Sequence, residues 1–269
     1  MSFVKAVFQM RPIFYCLLCF IFLLSRPAFA DADHKSRLDR ILADGVLKVG
    51  TTGDYRPFSF KKPETGSFEG FDIDQAEALS KALGVRLQLV QTSWKNLSAD
   101  FADDKFDIVM GGVSVTLERQ KTGLFSTPYL EDGKAPLTRC ADKDKFVTLA
   151  NVDQPSVRVI FNPGGTNEAF VRENLKEVQL IPWKDNEGIF DALAGGKADL
   201  MMTDAVEARL QQKLHPDILC AASVKKPFTY VEKAYWIQRD GDLAAFVNQW
   251  FHLSQKDGTF EAATRKWLN

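Results

Sequence analysis

In the run Lys197-Ala198-Asp199-Leu200-Met201-Met202-Thr203-Asp204-Ala205-Val206-Glu207-Ala208-Arg209, a buried strand gives way to a helix within a dozen or so residues. Lys197–Met202 carries the apolar core of a strand, and the alanine-rich stretch from Ala205 reads as a helix. Asp204 then falls at the N-cap and Glu207 one turn in. Carboxylates at that spacing form a capping box, in which both side chains satisfy orphan backbone N–H groups. The same spacing also suits two carboxylates working on a ligand, one gripping it and the other giving it a proton. The run by itself leaves both readings open.

Working outward, helical and strand patterns alternate, which predicts an α/β architecture. Ser36 caps an amphipathic stretch carrying Leu38, Ile41 and Leu42, and Gly45 ends it. Val46–Thr51 follows as a strand. Ile73, Ala76, Leu79, Ala82 and Leu83 recur at helical spacing up to Gly84, and Val85, Leu87 and Leu89 alternate as a strand does. Lys105-Phe106-Asp107-Ile108-Val109-Met110 echoes Lys197-Ala198-Asp199-Leu200-Met201-Met202, and each leads toward a helix start, near Thr116 and near Asp204. Two such units far apart predict two lobes of similar construction rather than a solenoid, although two buried strands can also resemble each other by chance. Tyr129–Gly133 and Val224–Phe228 are the best candidates for crossovers. On that reading one lobe comprises residues 31–130 and 227–269, and the other, inserted, residues 131–226.

The ends and the composition narrow the setting. Lys5 and Arg11, the apolar stretch Ile13–Leu24 and Ala28-Phe29-Ala30 predict a signal peptide over residues 1–30. Its removal takes three basic residues and leaves 31 basic against 35 acidic, a balance of about −4 that argues against nucleic acid or a membrane surface as partner. Cys16 and Cys19 leave with the leader. Cys140 and Cys220 remain as an even pair in an oxidising compartment, which favours a disulfide over two buried thiols. The three histidines, His34, His215 and His252, lack ligand spacing, so no metal is expected.

Three stretches carry a family resemblance: Gly45-Val46-Leu47-Lys48-Val49-Gly50-Thr51-Thr52-Gly53-Asp54-Tyr55-Arg56-Pro57-Phe58-Ser59, Gly70-Phe71-Asp72-Ile73-Asp74, and Ser114-Val115-Thr116-Leu117-Glu118-Arg119. The chain thereby resembles the periplasmic binding proteins for polar amino acids over nearly all of its length beyond residue 30. That resemblance implies the type II fold, two α/β lobes joined by two crossovers with the ligand between them. Asp100-Phe101-Ala102-Asp103-Asp104, Asn162-Pro163-Gly164-Gly165-Thr166-Asn167-Glu168, the run Met201–Arg209 and Leu214-His215-Pro216 are similar, more narrowly, to the periplasmic cyclohexadienyl dehydratases. This second resemblance implies an enzyme on the binding-protein fold that takes prephenate to phenylpyruvate and L-arogenate to L-phenylalanine without a cofactor.

The resemblance gives the residues roles. Glu207 becomes the acid that protonates a departing hydroxyl, since burial raises a carboxyl's pKa toward working pH. Glu168 is the rival, but it stands just inside a helix start, where a glutamate commonly complements the helix dipole. Arg119, helped by Ser114, becomes the clamp on the ligand's side-chain carboxylate, because its planar fork grips two oxygens at once. Asp204 matches the acidic residue that binds an α-ammonium in the transport relatives. An ionised Asp204 would need another partner opposite a keto acid. Asn162, Thr166 and Asn167 lie in a glycine-containing loop before a helix, a setting that favours anions but also suits ordinary turns. Thr52, Tyr55, Trp94 and Lys134 complete the expected site, the aromatics as walls and Lys134 facing the substrate's second negative charge; core packing and a solvated charge are the plainer alternatives.

A non-catalytic receptor delivering an amino acid to a transporter would share the fold and the Arg119 clamp. It would not need Glu207 as an acid. A sensor domain is disfavoured because no second apolar segment follows, and no nucleophile–histidine pair or phosphate-binding glycine loop is present.

Overall fold

A computed structural model describes residues 36–269. The expected leader lies outside the described residues. Two five-stranded sheets organise the chain, with the same plan in each. In the first, Val46–Thr51 is flanked in parallel by Arg86–Gln91 and Ile108–Val109; Trp236–Gln238 then runs antiparallel, with Gly123–Phe125 at the edge. In the second, Arg158–Phe161 is flanked in parallel by Gln179–Pro182 and Leu200–Asp204; Lys134–Arg139 then runs antiparallel, with Leu219–Ala221 at the edge. These sheets are the two lobes.

The internal echo marks equivalent strands. Ile108–Val109 and Leu200–Asp204 occupy the same place in their sheets. The shared aspartate pins the register in both. Asp107 donates its backbone N–H to the Lys48 carbonyl and accepts the Lys48 N–H on its carboxylate, each at 2.9 Å. Asp199 does the same with Arg158, again at 2.9 Å for each bond. An arginine covers the remaining oxygen in each case, Arg37 at 2.8 Å on Asp107 and Arg158 at 2.7 Å on Asp199. Such pinning matters because a slip of one residue would turn every buried side chain outward.

Helices cover both faces of the second sheet, which explains its near-continuous apolar strands. Val159, Phe161, Leu200 and Met202 pack on one face with Phe170 and Val171. Ile160 and Met201 pack on the other with Ile189, Leu193, Ala208 and Leu219. The first helix, Arg37–Asp44, has the expected cap at Ser36, a capping box with Asp39, and Gly45 at its left-handed end. Phe71–Leu83 likewise ends at Gly84, with φ 71°.

Between the sheets the chain passes through Leu130–Asp132 and Val231–Lys233, which pair as a two-stranded antiparallel ribbon. Cys140 and Cys220 form a disulfide, with Cα atoms 4.7 Å apart. Cys220 sits on an edge strand that pairs with Lys134–Arg139, immediately before Cys140, so the bridge fastens the edge of the second sheet. Among the described residues no helix is long and apolar enough to cross a membrane, and no group of histidine, cysteine and carboxylate side chains is set to hold a metal ion.

Candidate active site

The parallel strands of both sheets deliver their C-terminal ends to one place, where ligands of open α/β sheets bind. A cavity lies there, lined by Asp54, Tyr55, Trp94, Gly112, Ser114, Asn162, Gly165, Thr166, Asn167, Asn186, Asp204, Glu207 and Lys233. Both lobes contribute. Trp94 stands edge-on to Tyr55, ring centres 5.5 Å apart, as an apolar wall. Opposite it, Gly164 adopts φ 93° and approaches the Lys95 backbone so closely that a Cβ would lie 2.5 Å from the Lys95 Cα. Glycine is required there on both counts.

Asp204 and Glu207 do not form a capping box. Asp204 has N-cap backbone geometry, but its side chain makes no capping bond to the helix Ala205–Leu214. The helix's first N–H groups are satisfied from the crossover instead: Ala205 N–H donates to the Gly133 carbonyl at 2.8 Å and Val206 N–H to Asp132 Oδ1 at 3.2 Å. Asp204 is thereby free to turn into the site. Its Oδ1 accepts from Lys134 at 2.6 Å; its Oδ2 accepts from Lys233 and from the Tyr55 hydroxyl, both at 2.6 Å. Burial alone would raise the Asp204 pKa, but the two ammonium groups outweigh it and hold the carboxyl well below the usual range.

Glu207 is as deeply buried, 5 % exposed against 4 % for Asp204, and goes the other way. Among the described residues no cation bonds to it, and its Oε2 accepts the Thr203 hydroxyl alone, leaving Oε1 available. Burial, reinforced by nearby Asp204, pushes its carboxyl up to about 8. A neutral carboxylic acid therefore faces the cavity at neutral pH, three residues from an ionised one.

The remaining expected residues fall into two groups. Tyr55, Trp94, Ser114, Asn162, Thr166, Asn167, Asp204 and Glu207 line the cavity. Thr52, Lys134 and Arg119 do not. Thr52 is buried. Lys134 stands behind the cavity wall, its Nζ donating to Thr166 Oγ1 at 2.9 Å, to Asn167 Oδ1 and to Asp204. All three of its donors are used within the protein. Burial lowers its pKa, opposed by Asp204. Arg119 is anchored by Nη1 to the Ser114 carbonyl at 2.9 Å, with its guanidinium 5.8 Å from the Trp236 ring centre. No carboxylate pairs with it among the described residues, and burial draws its pKa down to about 10. Glu168 bonds the Gly164 N–H and Arg172 at its helix start, and both interactions lower its pKa. It does not line the cavity.

Lys233 was not legible as a site residue. It is 1 % exposed and reaches the cavity from the returning crossover strand, which a backbone bridge holds beside Ser114. Asp54 and Asn186 were missed as well. Asn186 donates to Asp54 at 2.8 Å and accepts from Asn162, a chain linking the lobes across the cavity mouth. Burial raises the Asp54 pKa. A lysine within Val231-Glu232-Lys233-Ala234-Tyr235-Trp236, isolated at the edge of an apolar run, was the one available signal for Lys233.

This fold and this cleft are those of a solute-binding protein. The family of bacterial extracellular solute-binding proteins, family 3, matches residues 47–269, and the chain belongs to it. The cyclohexadienyl dehydratase of Pseudomonas aeruginosa is 52% identical over 87% of this chain and 87% of its own length. The L-cystine-binding protein of Escherichia coli K12 is 30% identical over 91% of this chain and 90% of its own. The crystal structure of an ancestral amino acid-binding protein, described as a precursor of cyclohexadienyl dehydratase, superposes with a TM-score of 0.79 at 35% identity, covering 87% of this chain and all of that one.

Proposed function

We propose that this protein is a cofactor-independent decarboxylating dehydratase of the periplasm, converting prephenate to phenylpyruvate and L-arogenate to L-phenylalanine. The observation that carries the reading is the neutral, cavity-facing Glu207 beside an ionised, triply bonded Asp204. A receptor needs the second but not the first. The 52% identity to a cyclohexadienyl dehydratase supports the same choice. Residues 1–30 would serve as the export signal, and residues 31–130 with 227–269, and 131–226, as the two lobes.

Each residue then has a task. The Arg119 guanidinium stands outside the cavity lining, bonded to the carbonyl of cavity-lining Ser114, and would turn inward beside Ser114 to hold the side-chain carboxylate. Gripping the departing carboxylate instead would stabilise the ground state and slow the reaction. The ring lies against Trp94 and Tyr55, with its carboxylate and hydroxyl among Asn162, Thr166 and Asn167; Thr52 and Lys134 support that lining from behind. The bond from the ring to its carboxylate breaks to release carbon dioxide. That electron pair completes the aromatic ring and expels the hydroxyl from the opposite carbon. Glu207 protonates the hydroxyl as it leaves, so that water departs, and solvent restores the proton to Glu207.

The similarity to an L-cystine-binding protein supports a second reading, a non-catalytic amino-acid receptor. Incubating purified residues 31–269 with prephenate at neutral pH, and following phenylpyruvate by its absorbance in alkali, separates the two. Formation well above the enzyme-free rate without added metal or cofactor is the expected result. No formation, together with tight binding of an amino acid, would return the protein to the receptors.

A further inference from the structure

The carboxylate clamp and the groups around Asp204 are contiguous. Ser114 offers its carbonyl to Arg119 at 2.9 Å and its Oγ to Lys233 at 3.0 Å. A ligand whose carboxylate is held at Arg119 therefore presents its next atom, the α-carbon, toward Lys233 and Asp204. In an α-amino acid that carbon bears an ammonium, which donates hydrogen bonds and accepts none. In an α-keto acid it bears an oxygen, which only accepts.

The protein has already placed cations on the one carboxylate there. Asp204 Oδ2 takes Lys233 and Tyr55, and Oδ1 takes Lys134. An incoming ammonium would be a third cation around a single buried carboxylate, and Lys233 offers it only N–H donors. A keto oxygen meets the reverse. Lys233 donates to Tyr55 Oη at 3.3 Å, the longest of its three bonds and the one most readily exchanged for a ligand oxygen. We propose that Lys233 is the specificity-determining residue of this site, standing in for the α-ammonium of an amino acid and directing the cavity to α-keto acids, prephenate over L-arogenate.

The proposal rests on the dehydratase reading for its substrates but not for its geometry, and the test separates the two. Steady-state kinetics on both substrates should give a kcat/KM ratio of at least tenfold in favour of prephenate. Lys233→Met should lower that ratio by tenfold or more, and Lys233→Arg, which keeps a buried cation, should retain the preference. A ratio near unity in the unaltered protein, or one unmoved by Lys233→Met, would overturn it. Titration calorimetry with the products asks the same question without turnover: phenylpyruvate should bind more tightly than L-phenylalanine, and the order should narrow or invert in Lys233→Met. Should neither substrate react, the dehydratase reading falls while the calorimetric order still decides the role of Lys233. Should Lys233→Met fail to fold, the order in the unaltered protein decides it: tighter binding of the amino acid would refute the proposal.

Discussion

Replacing Glu207 by glutamine removes the proton while keeping the shape, and the structure sets the size of the effect. A group raised from about 4.5 to about 8 is roughly nine-tenths protonated at pH 7 and one-tenth at pH 9. The rate constant kcat/KM for prephenate should therefore be level between pH 6 and 7 and fall about tenfold by pH 9. Glu207→Gln should lower it by about 10²–10⁴-fold, the usual worth of a general acid, and the residual rate should lack that descending limb. Stability should report the same proton with the opposite substitution winning. Between pH 4.5 and 8 the folded protein holds a proton on Glu207 that the unfolded chain has released. That stabilisation is complete below about pH 4.5 and lost as pH rises toward 8, at about 1.4 kcal/mol per pH unit. The glutamine variant does not titrate, so its denaturation midpoint should gain on the parent from pH 5 to 8 and then stop gaining. Initial rates against an enzyme-free blank, with urea melts at each pH, measure both. A Gln variant within tenfold of the parent, or a parent whose rate is level through pH 9, would refute Glu207 as the acid.

Arg119→Ala should raise KM for prephenate by about 10- to 100-fold, the loss of a charge-assisted pair, with a smaller change in kcat; an unchanged KM would remove Arg119 from the clamp. Asp132→Ala takes away the acceptor for the Val206 N–H and should cost about 0.5–2 kcal/mol in urea denaturation, as for other helix caps. No loss would mean that the helix start is held by the Gly133 carbonyl alone. Reducing the Cys140–Cys220 bridge, whose cysteines are 80 residues apart in sequence, should lower stability by about 4.5 kcal/mol on the chain-entropy account. An unshifted melt in reductant would show that the antiparallel edge strand holds without it.

Regular elements were legible where local pattern suffices. Ser36 and Gly45 bound their helix because a cap is a local bond, and the strands at Val46–Thr51 and after Gly84 follow from alternation and burial. The second crossover strand, Val231–Lys233, begins a few residues beyond the expected passage Val224–Phe228, since its extent is set by pairing with Leu130–Asp132 rather than by its own residues. The capping question had the same character. Asp204 and Glu207 stand at capping-box spacing, and nothing nearby in sequence shows that Asp132 and Gly133, far upstream, already satisfy the helix. Lys134 was recognised, but its destination behind the wall depends on Thr166, Asn167 and Asp204 meeting it from three separate segments. Lys233 fills the cavity position in its place for the same reason, a backbone bridge to Ser114 that joins distant segments.

What separates the two carboxyls is company rather than depth. Asp204 and Glu207 are almost equally buried, so desolvation pushes both upward. Asp204 receives two lysines and a tyrosine hydroxyl, and the attraction reverses the shift. Glu207 receives one threonine hydroxyl and an anionic neighbour, and the shift stands. Environments that drive two neighbouring carboxyls apart assign one to charge and the other to proton donation. Because Lys134 and Lys233 spend their donors on Asp204, Ser114, Tyr55, Thr166 and Asn167, neither is left to ionise Glu207. The lysines that keep Asp204 ionised are thus the same ones withheld from Glu207, and the two shifts have a common origin.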